Sequence, residues 1–196
     1  WAGVYTTNAA LAGMRQRGGG RIVNITSIGA KISVPHLLPY SASKFAFAGF
    51  SEGLRAELAK DGVVVTTVYP GLMRTGSPRH ALFKGRHHEE YAWFSASDSL
   101  PLLAMDVDRA ARRIVAACGR GDAYVILSLP AKLAITAHAL FPGLTADVAG
   151  LVNRWLPRAG GIGTEPARGR DSVSPRVPSW VRSLGDRAGQ KYNQIG

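Results

Sequence analysis

The stretch Val63-Val64-Val65-Thr66-Thr67-Val68, closed by Pro70-Gly71, is the most continuous strand signal in the chain. Six β-branched residues in a row, ended by a proline–glycine pair, read as a strand. Immediately upstream, residues 41–60 carry the longest helical pattern and end at Asp61-Gly62, where glycine can take a left-handed cap. Further upstream, Arg21-Ile22-Val23-Asn24-Ile25 is a short β-branched run bounded by glycine and serine. Residues 1–17 read as a helix, stopped by Gly18-Gly19-Gly20. Helix, strand, helix, strand predicts parallel strands joined by crossover helices, an α/β fold.

Downstream the signals weaken. Residues 72–105 mix charges with Phe83, Tyr91, Trp93 and Phe94 and read as an irregular lid or substrate loop. Residues 106–118 predict a helix capped by Asp106, with Val107, Ala110, Ala111, Ile114 and Val115 on one face. Residues 124–127 predict a third strand, and 129–156 are apolar but broken at Pro142-Gly143. After Pro157 the composition turns to Gly, Pro, Ser and Arg, from which no core is expected.

The 196 residues are 46% hydrophobic and 19% charged, a globular composition that excludes a disordered, collagen-like or coiled-coil chain. Lys+Arg 24 against Asp+Glu 13 gives a net charge of +11. The bases are scattered, without a run or an aromatic–basic stacking face, so nucleic-acid binding is not expected. Residues 151–196 hold eight bases and three acids, which suits a solvated tail or one that meets an acidic surface. Cys118 is the single cysteine, which excludes an internal disulfide and a zinc cluster. With no signal-peptide layout, a reducing compartment follows, and the expectation is a cytoplasmic protein. No uninterrupted apolar window of about 18 residues exists. Apolar residues in 129–157 beside the basic tail leave docking on a membrane surface as a lesser expectation.

The chemistry-bearing residues are Asn24-Ile25-Thr26-Ser27, a twelve-residue gap, and Tyr40-Ser41-Ala42-Ser43-Lys44. Tyr40 and Lys44 are four apart, which puts both on one face of a helix. A tyrosine is a poor base at neutral pH, but a neighbouring ammonium stabilises a phenolate. Such a pair can exchange a proton with an alcohol or carbonyl oxygen. Ser27 closes a strand, where open α/β sheets place ligands, and its hydroxyl could donate to the same oxygen. Ser41-Ala42-Ser43-Lys44 also has the Ser-x-x-Lys form of a penicillin-binding nucleophile, but the companion Lys-Thr-Gly does not occur.

This arrangement resembles the short-chain dehydrogenase/reductase family. Gly20 to Ser27 look like the family's fifth strand and catalytic serine, and Tyr40 to Lys44 match its Tyr-x-x-x-Lys motif. Pro70-Gly71-Leu72-Met73-Arg74-Thr75 is similar to its Pro-Gly-x-x-x-Thr segment, and the likeness covers about residues 1–128. The resemblance implies a partial Rossmann-like, doubly wound parallel sheet, the C-terminal half of the family fold, within residues 1–157, and a basic irregular tail over 158–196. It implies an NAD- or NADP-dependent interconversion of a small-molecule alcohol and carbonyl. Tyr40 would be the acid/base, Lys44 would bind the nicotinamide ribose and favour the phenolate, and Ser27 would orient the substrate oxygen. Tyr40, Pro70, Gly71, Met73 and Thr75 would help to hold the nicotinamide end, and His36 could touch substrate. The family often dimerises through the helix at 41–60, and a homo-oligomer is expected.

Two family elements are missing from the sequence. The strand, Gly-rich turn and helix that bind the adenosine pyrophosphate have no counterpart, and the catalytic asparagine should fall just before Trp1. The expectation is an incomplete chain, poorly stable and inactive alone, with an unpaired strand edge at 22–26. The alternative is a non-catalytic module that binds an acidic surface through its basic tail.

Overall fold

The computed structural model describes residues 1–99, 103–174 and 179–194. Residues 100–102 of the expected lid, and 175–178 and 195–196 of the expected tail with Arg176, lie outside the described residues. The elements up to the second long strand are α1 (Ala2–Gln16), β1 (Gly20–Ile25), α2 (Leu38–Leu58) and β2 (Val63–Tyr69). They are followed by α3 (Ser77–His80), β3 (Leu82–Phe83), α4 (His87–Ser99), α5 (Val107–Arg120) and β4 (Tyr124–Ile126). The last are α6 (Leu129–Leu140), α7 (Pro142–Asn153), β5 (Ala167–Arg168) and α8 (Ser179–Lys191). The chain divides into two compact units.

The first unit is Trp1–Gly71 with Asp108–Ala149. Its sheet is parallel, as the alternating pattern predicts, and its strand order is β1-β2-β4. Gly20 stands opposite Val63 and Ile25 opposite Val68, while Thr67, Val68 and Tyr69 face Tyr124, Val125 and Ile126. β2 is central, and six of its seven residues are buried. Val65 and Val68 have no exposed surface, a burial that contributes about 1.5–3 kcal/mol each. Leu11 of α1 and Leu54 and Leu58 of α2 complete this core with Val63 and Val65. β1 carries no strand on its outer side among the described residues.

Two local differences have simple causes. The helix expected over 41–60 begins at Leu38, because Pro39 falls in its first turn, where a fixed φ helps and no N–H is needed. It tightens into a 3-10 turn, Ala59–Asp61, before Gly62 closes it at φ 68, the left-handed cap that the sequence predicts. Gly62 is also backed against the Gly18-Gly19 turn, where a Cβ on it would stand 2.8 Å from the Gly18 carbonyl oxygen.

The second unit is Leu72–Val107 with Gly150–Gly196, and it corrects two expectations. The lid is not irregular, since it contains α3 and the 13-residue α4. The tail is not irregular either: β5 pairs antiparallel with β3, and α8 packs on α4. Phe83 meets Tyr91 and Phe94 edge-on at centroid distances of 5.7 and 5.8 Å, which gives the tail an apolar surface to cover. Gly185 lets α8 approach closely, because a Cβ there would lie 3.3 Å from Ser99 Oγ.

Candidate active site

The site is built at the carboxyl ends of β1 and β2. Beyond Ile25 the ladder continues: the Thr26 N–H donates to the Val68 carbonyl at 2.8 Å, and the Ile28 N–H donates to the Pro70 carbonyl at 2.7 Å. The Thr26 hydroxyl donates to the same Val68 carbonyl at 2.6 Å. These bonds fix Ser27 beside Pro70. Ser27 then caps a single 3-10 turn, Ile28–Ala30, its Oγ accepting from the Gly29 N–H at 3.0 Å.

Tyr40 is the third residue of α2 and is 43% exposed. Lys44 follows one turn later, with Nζ 5.6 Å from the centre of the Tyr40 ring. Burial pushes the Lys44 ammonium below the usual lysine range. Gly29 joins the serine to the tyrosine: a Cβ on it would stand 3.1 Å from Tyr40 Cε1 and 3.4 Å from Ser27 Oγ. Ser27 and Tyr40, thirteen residues apart in sequence, therefore meet around one small residue, with Lys44 on the far side of the Tyr40 ring's own helical turn.

The remaining predicted positions are more dispersed. Pro70 is buried at the end of β2. Gly71 is pressed on the start of α6, where a Cβ would come within 2.6 Å of Ser128 Oγ. Met73 and Thr75 lie in the second unit, where Met73 bridges to Met105 and Thr75 Oγ1 accepts from the Ser77 N–H at 3.1 Å. His36 is exposed in the loop before α2, with a left-handed φ of 65.

Sequence reasoning misses two polar networks behind the site. The Asn24 amide donates to Ser51 Oγ at 2.9 Å, and Ser51 Oγ meets Thr67 Oγ1 at 2.7 Å, all buried. The Tyr69 hydroxyl donates to the Glu52 carboxylate, to which Lys31 Nζ also donates at 2.8 Å. The hydrogen bonds from Lys31 and Tyr69 hold the Glu52 carboxyl below its usual range. Burial first, and the Glu52 bond second, push the Tyr69 phenol up. A tyrosine ending a buried, β-branched strand is the available signal, since its hydroxyl needs a partner.

The short chain dehydrogenase family matches residues 2–82. A dehydrogenase/reductase SDR family protein 7-like of Anopheles gambiae is 46% identical over 79 residues, 40% of this chain and 25% of that protein. Its namesake in Drosophila melanogaster is 34% identical over 142 residues, 72% of this chain and 42% of that protein. The chain thus spans a quarter of the first relative and less than half of the second. Among solved structures, a short-chain dehydrogenase from Streptomyces avermitilis is similar at a TM-score of 0.56 and 26% identity, covering 80% of this chain and 59% of that one.

Proposed function

Because the chain belongs to the short-chain dehydrogenase family, we propose that it carries the proton-transfer residues of an NAD(P)-dependent oxidoreductase that interconverts an alcohol and a carbonyl. The observation that supports this is the convergence of Ser27 and Tyr40 around Gly29, with the Lys44 ammonium beside the Tyr40 ring.

Each residue has a task that follows from its chemistry. In the reducing direction the Tyr40 hydroxyl gives its proton to the oxygen of the carbonyl as that oxygen gains negative charge; in the oxidising direction the phenolate takes it from the alcohol. The Lys44 ammonium stands over the Tyr40 ring, 5.6 Å from its centre, where its positive charge faces the reacting phenol. The Gly29 N–H already occupies an acceptor site on Ser27 Oγ, which leaves the serine O–H to donate to the substrate oxygen. That bond orients the substrate and strengthens as charge develops.

The residues present fit the nicotinamide end of NAD(P). Lys44 Nζ is a partly buried donor with no hydrogen-bond acceptor among the described residues, which suits a pair of ribose hydroxyls. Pro70 and Gly71 end β2 at the same rim of the sheet as Ser27. When bound, the reduced cofactor would supply the hydride for carbonyl reduction and the oxidised cofactor would accept it in alcohol oxidation. The α2 surface suits a second copy of the chain: Phe45 is 43% exposed, and a Cβ on Gly49 or Gly53 would meet nothing within 4 Å.

Tyr40→Phe in the full-length gene product tests the assignment. The expected result is a loss of turnover of about 10²–10⁴-fold with NAD(P) affinity unchanged. Full activity in that variant overturns it.

A further inference from the structure

Glu52 touches no group that the proposed reaction uses, yet three parts of the site converge on it. Its Oε1 accepts from Lys31 Nζ at 2.8 Å and from the Tyr69 hydroxyl. Lys31 follows directly on the 3-10 turn Ile28–Ala30, which carries Gly29 and is capped by Ser27. Tyr69 is the last residue of β2, next to Pro70. Glu52 itself stands on α2, twelve residues beyond Tyr40 and about 18 Å further along the helix axis. All of these residues belong to the first unit.

The turn needs a tie to α2. Its start is fastened to the sheet, where the Ile28 N–H donates to the Pro70 carbonyl at 2.7 Å. Its own bonds close it without aiming it at the helix: the Ala30 N–H donates to the Ser27 carbonyl at 3.0 Å, and the Lys31 N–H to the Ile28 carbonyl at 2.9 Å. At its end Ala30 packs on Ala48 of α2 and on Tyr69, all three buried. Two methyl groups offer few atoms to interlock, so that contact resists sliding weakly. The Lys31 ammonium adds a directional bond there. It is held on two sides, because Nζ also lies 4.8 Å from the centre of the Tyr69 ring. Tyr69 is only 1% exposed, and its hydroxyl keeps the shared carboxylate oxygen in one place.

We infer that Glu52 is a positioning residue: through Lys31 it holds the turn that presents Ser27 and Gly29 against the helix that presents Tyr40, and through Tyr69 it keys both to the end of β2. Its effect on turnover rests on the oxidoreductase reading above; its effect on geometry does not. Slack in the turn reaches Tyr40 through Gly29, which stands between Ser27 Oγ and the Tyr40 ring. The Lys31 and Glu52 side chains are 36% and 52% exposed, and an ion pair so placed adds little to stability. Its loss should therefore be felt at Tyr40 and not in the melt.

The test uses the full-length gene product labelled with meta-fluorotyrosine, in which Tyr40→Phe identifies the Tyr40 fluorine line by deleting it. Lys31→Met leaves the Tyr69–Glu52 bond in place and isolates the tie. It should move or split the Tyr40 line while Tm stays at the parental value. With NADH or NADPH and para-nitrobenzaldehyde as a reactive carbonyl, it should lower kcat about tenfold and leave the cofactor KM unchanged. Glu52→Ala should show the same line and the same loss. Glu52→Gln keeps an acceptor for both donors and should recover the parental line and most of kcat. A Tyr40 line unmoved in Lys31→Met and Glu52→Ala overturns the inference. So does a kcat loss that Glu52→Gln shares in full, because a lost charge and not a lost tie is then responsible. A fall in Tm that accounts for the loss overturns it as well, since the group is then merely structural. A parent that reduces no carbonyl counts against the oxidoreductase reading alone, and the fluorine line then decides this one.

Discussion

Gly29 sets the distance between Ser27 and Tyr40: a Cβ there would lie 3.4 Å from Ser27 Oγ and 3.1 Å from Tyr40 Cε1. A methyl group must push one of them aside by a few tenths of an ångström. A loss of this kind shows in turnover before it shows in stability, because misplacing a reacting group by about 1 Å can cost 10²-fold. In the full-length gene product, Gly29→Ala should lower kcat about tenfold, and Gly29→Val about 100-fold, with Tm little changed. Unchanged kcat in the valine variant would separate Ser27 from Tyr40 functionally.

Ser51 should matter to stability although it touches no proposed substrate atom. It is fully buried between Asn24 and Thr67 and bonds both. Ser51→Ala strands both partners away from water, at about 1–3 kcal/mol. Urea unfolding of the variant measures this, and a midpoint equal to that of the parent would show that the two neighbours find other partners.

At Gly62 two effects coincide and can be separated. Its φ of 68 disfavours any L side chain by about 1–2 kcal/mol, and a Cβ would sit 2.8 Å from the Gly18 carbonyl oxygen. Gly62→Ala should destabilise through both. Asparagine tolerates the left-handed region, so Gly62→Asn relieves the first effect alone. Thermal melts should place both variants below the parent; recovery of parental Tm in the asparagine variant would mean that the carbonyl contact has no cost.

Asp98 gives the second unit a pH dependence of unusual sign. Burial lifts its carboxyl from 3.8 to about 7. Between those values the folded state keeps a proton that the unfolded chain has lost. Stability is therefore greatest below the unfolded value, falls as pH rises toward about 7, and then levels, with a slope of at most about 1.4 kcal/mol per pH unit. Asp98→Asn should flatten the profile from pH 4 to 8 and stabilise the protein at its upper end. A parent whose denaturation midpoint is constant across that range would contradict the assignment.

The first unit was largely legible because its signals are local and agree with one another. β2 is β-branched from Val63 to Val68, Gly62 is needed for its backbone, and Tyr40 and Lys44 are one helical turn apart. The second unit was not, for identifiable reasons. α4 reads His-His-Glu-Glu-Tyr-Ala-Trp-Phe-Ser-Ala-Ser-Asp-Ser, which has no one-sided apolar period, so its helix rests on tertiary packing. Gly185 counts in the sequence as a helix breaker, yet against Ser99 it is what permits α8 to come close. The Tyr69–Glu52–Lys31 group escaped because its members are separated by 17 and 21 residues and only the fold of β2 against α2 unites them.

The position of β2 between β1 and β4 also dictates an order of events in deuterated solvent. Amides bonded on both flanks of a strand can swap their hydrogens only when the sheet itself opens, whereas those on a rim follow smaller fluctuations. Thr67 and Val68, which have partners on both sides, should thus hold their protons longest, and the sequence in which their neighbours lose theirs would time which flank yields first.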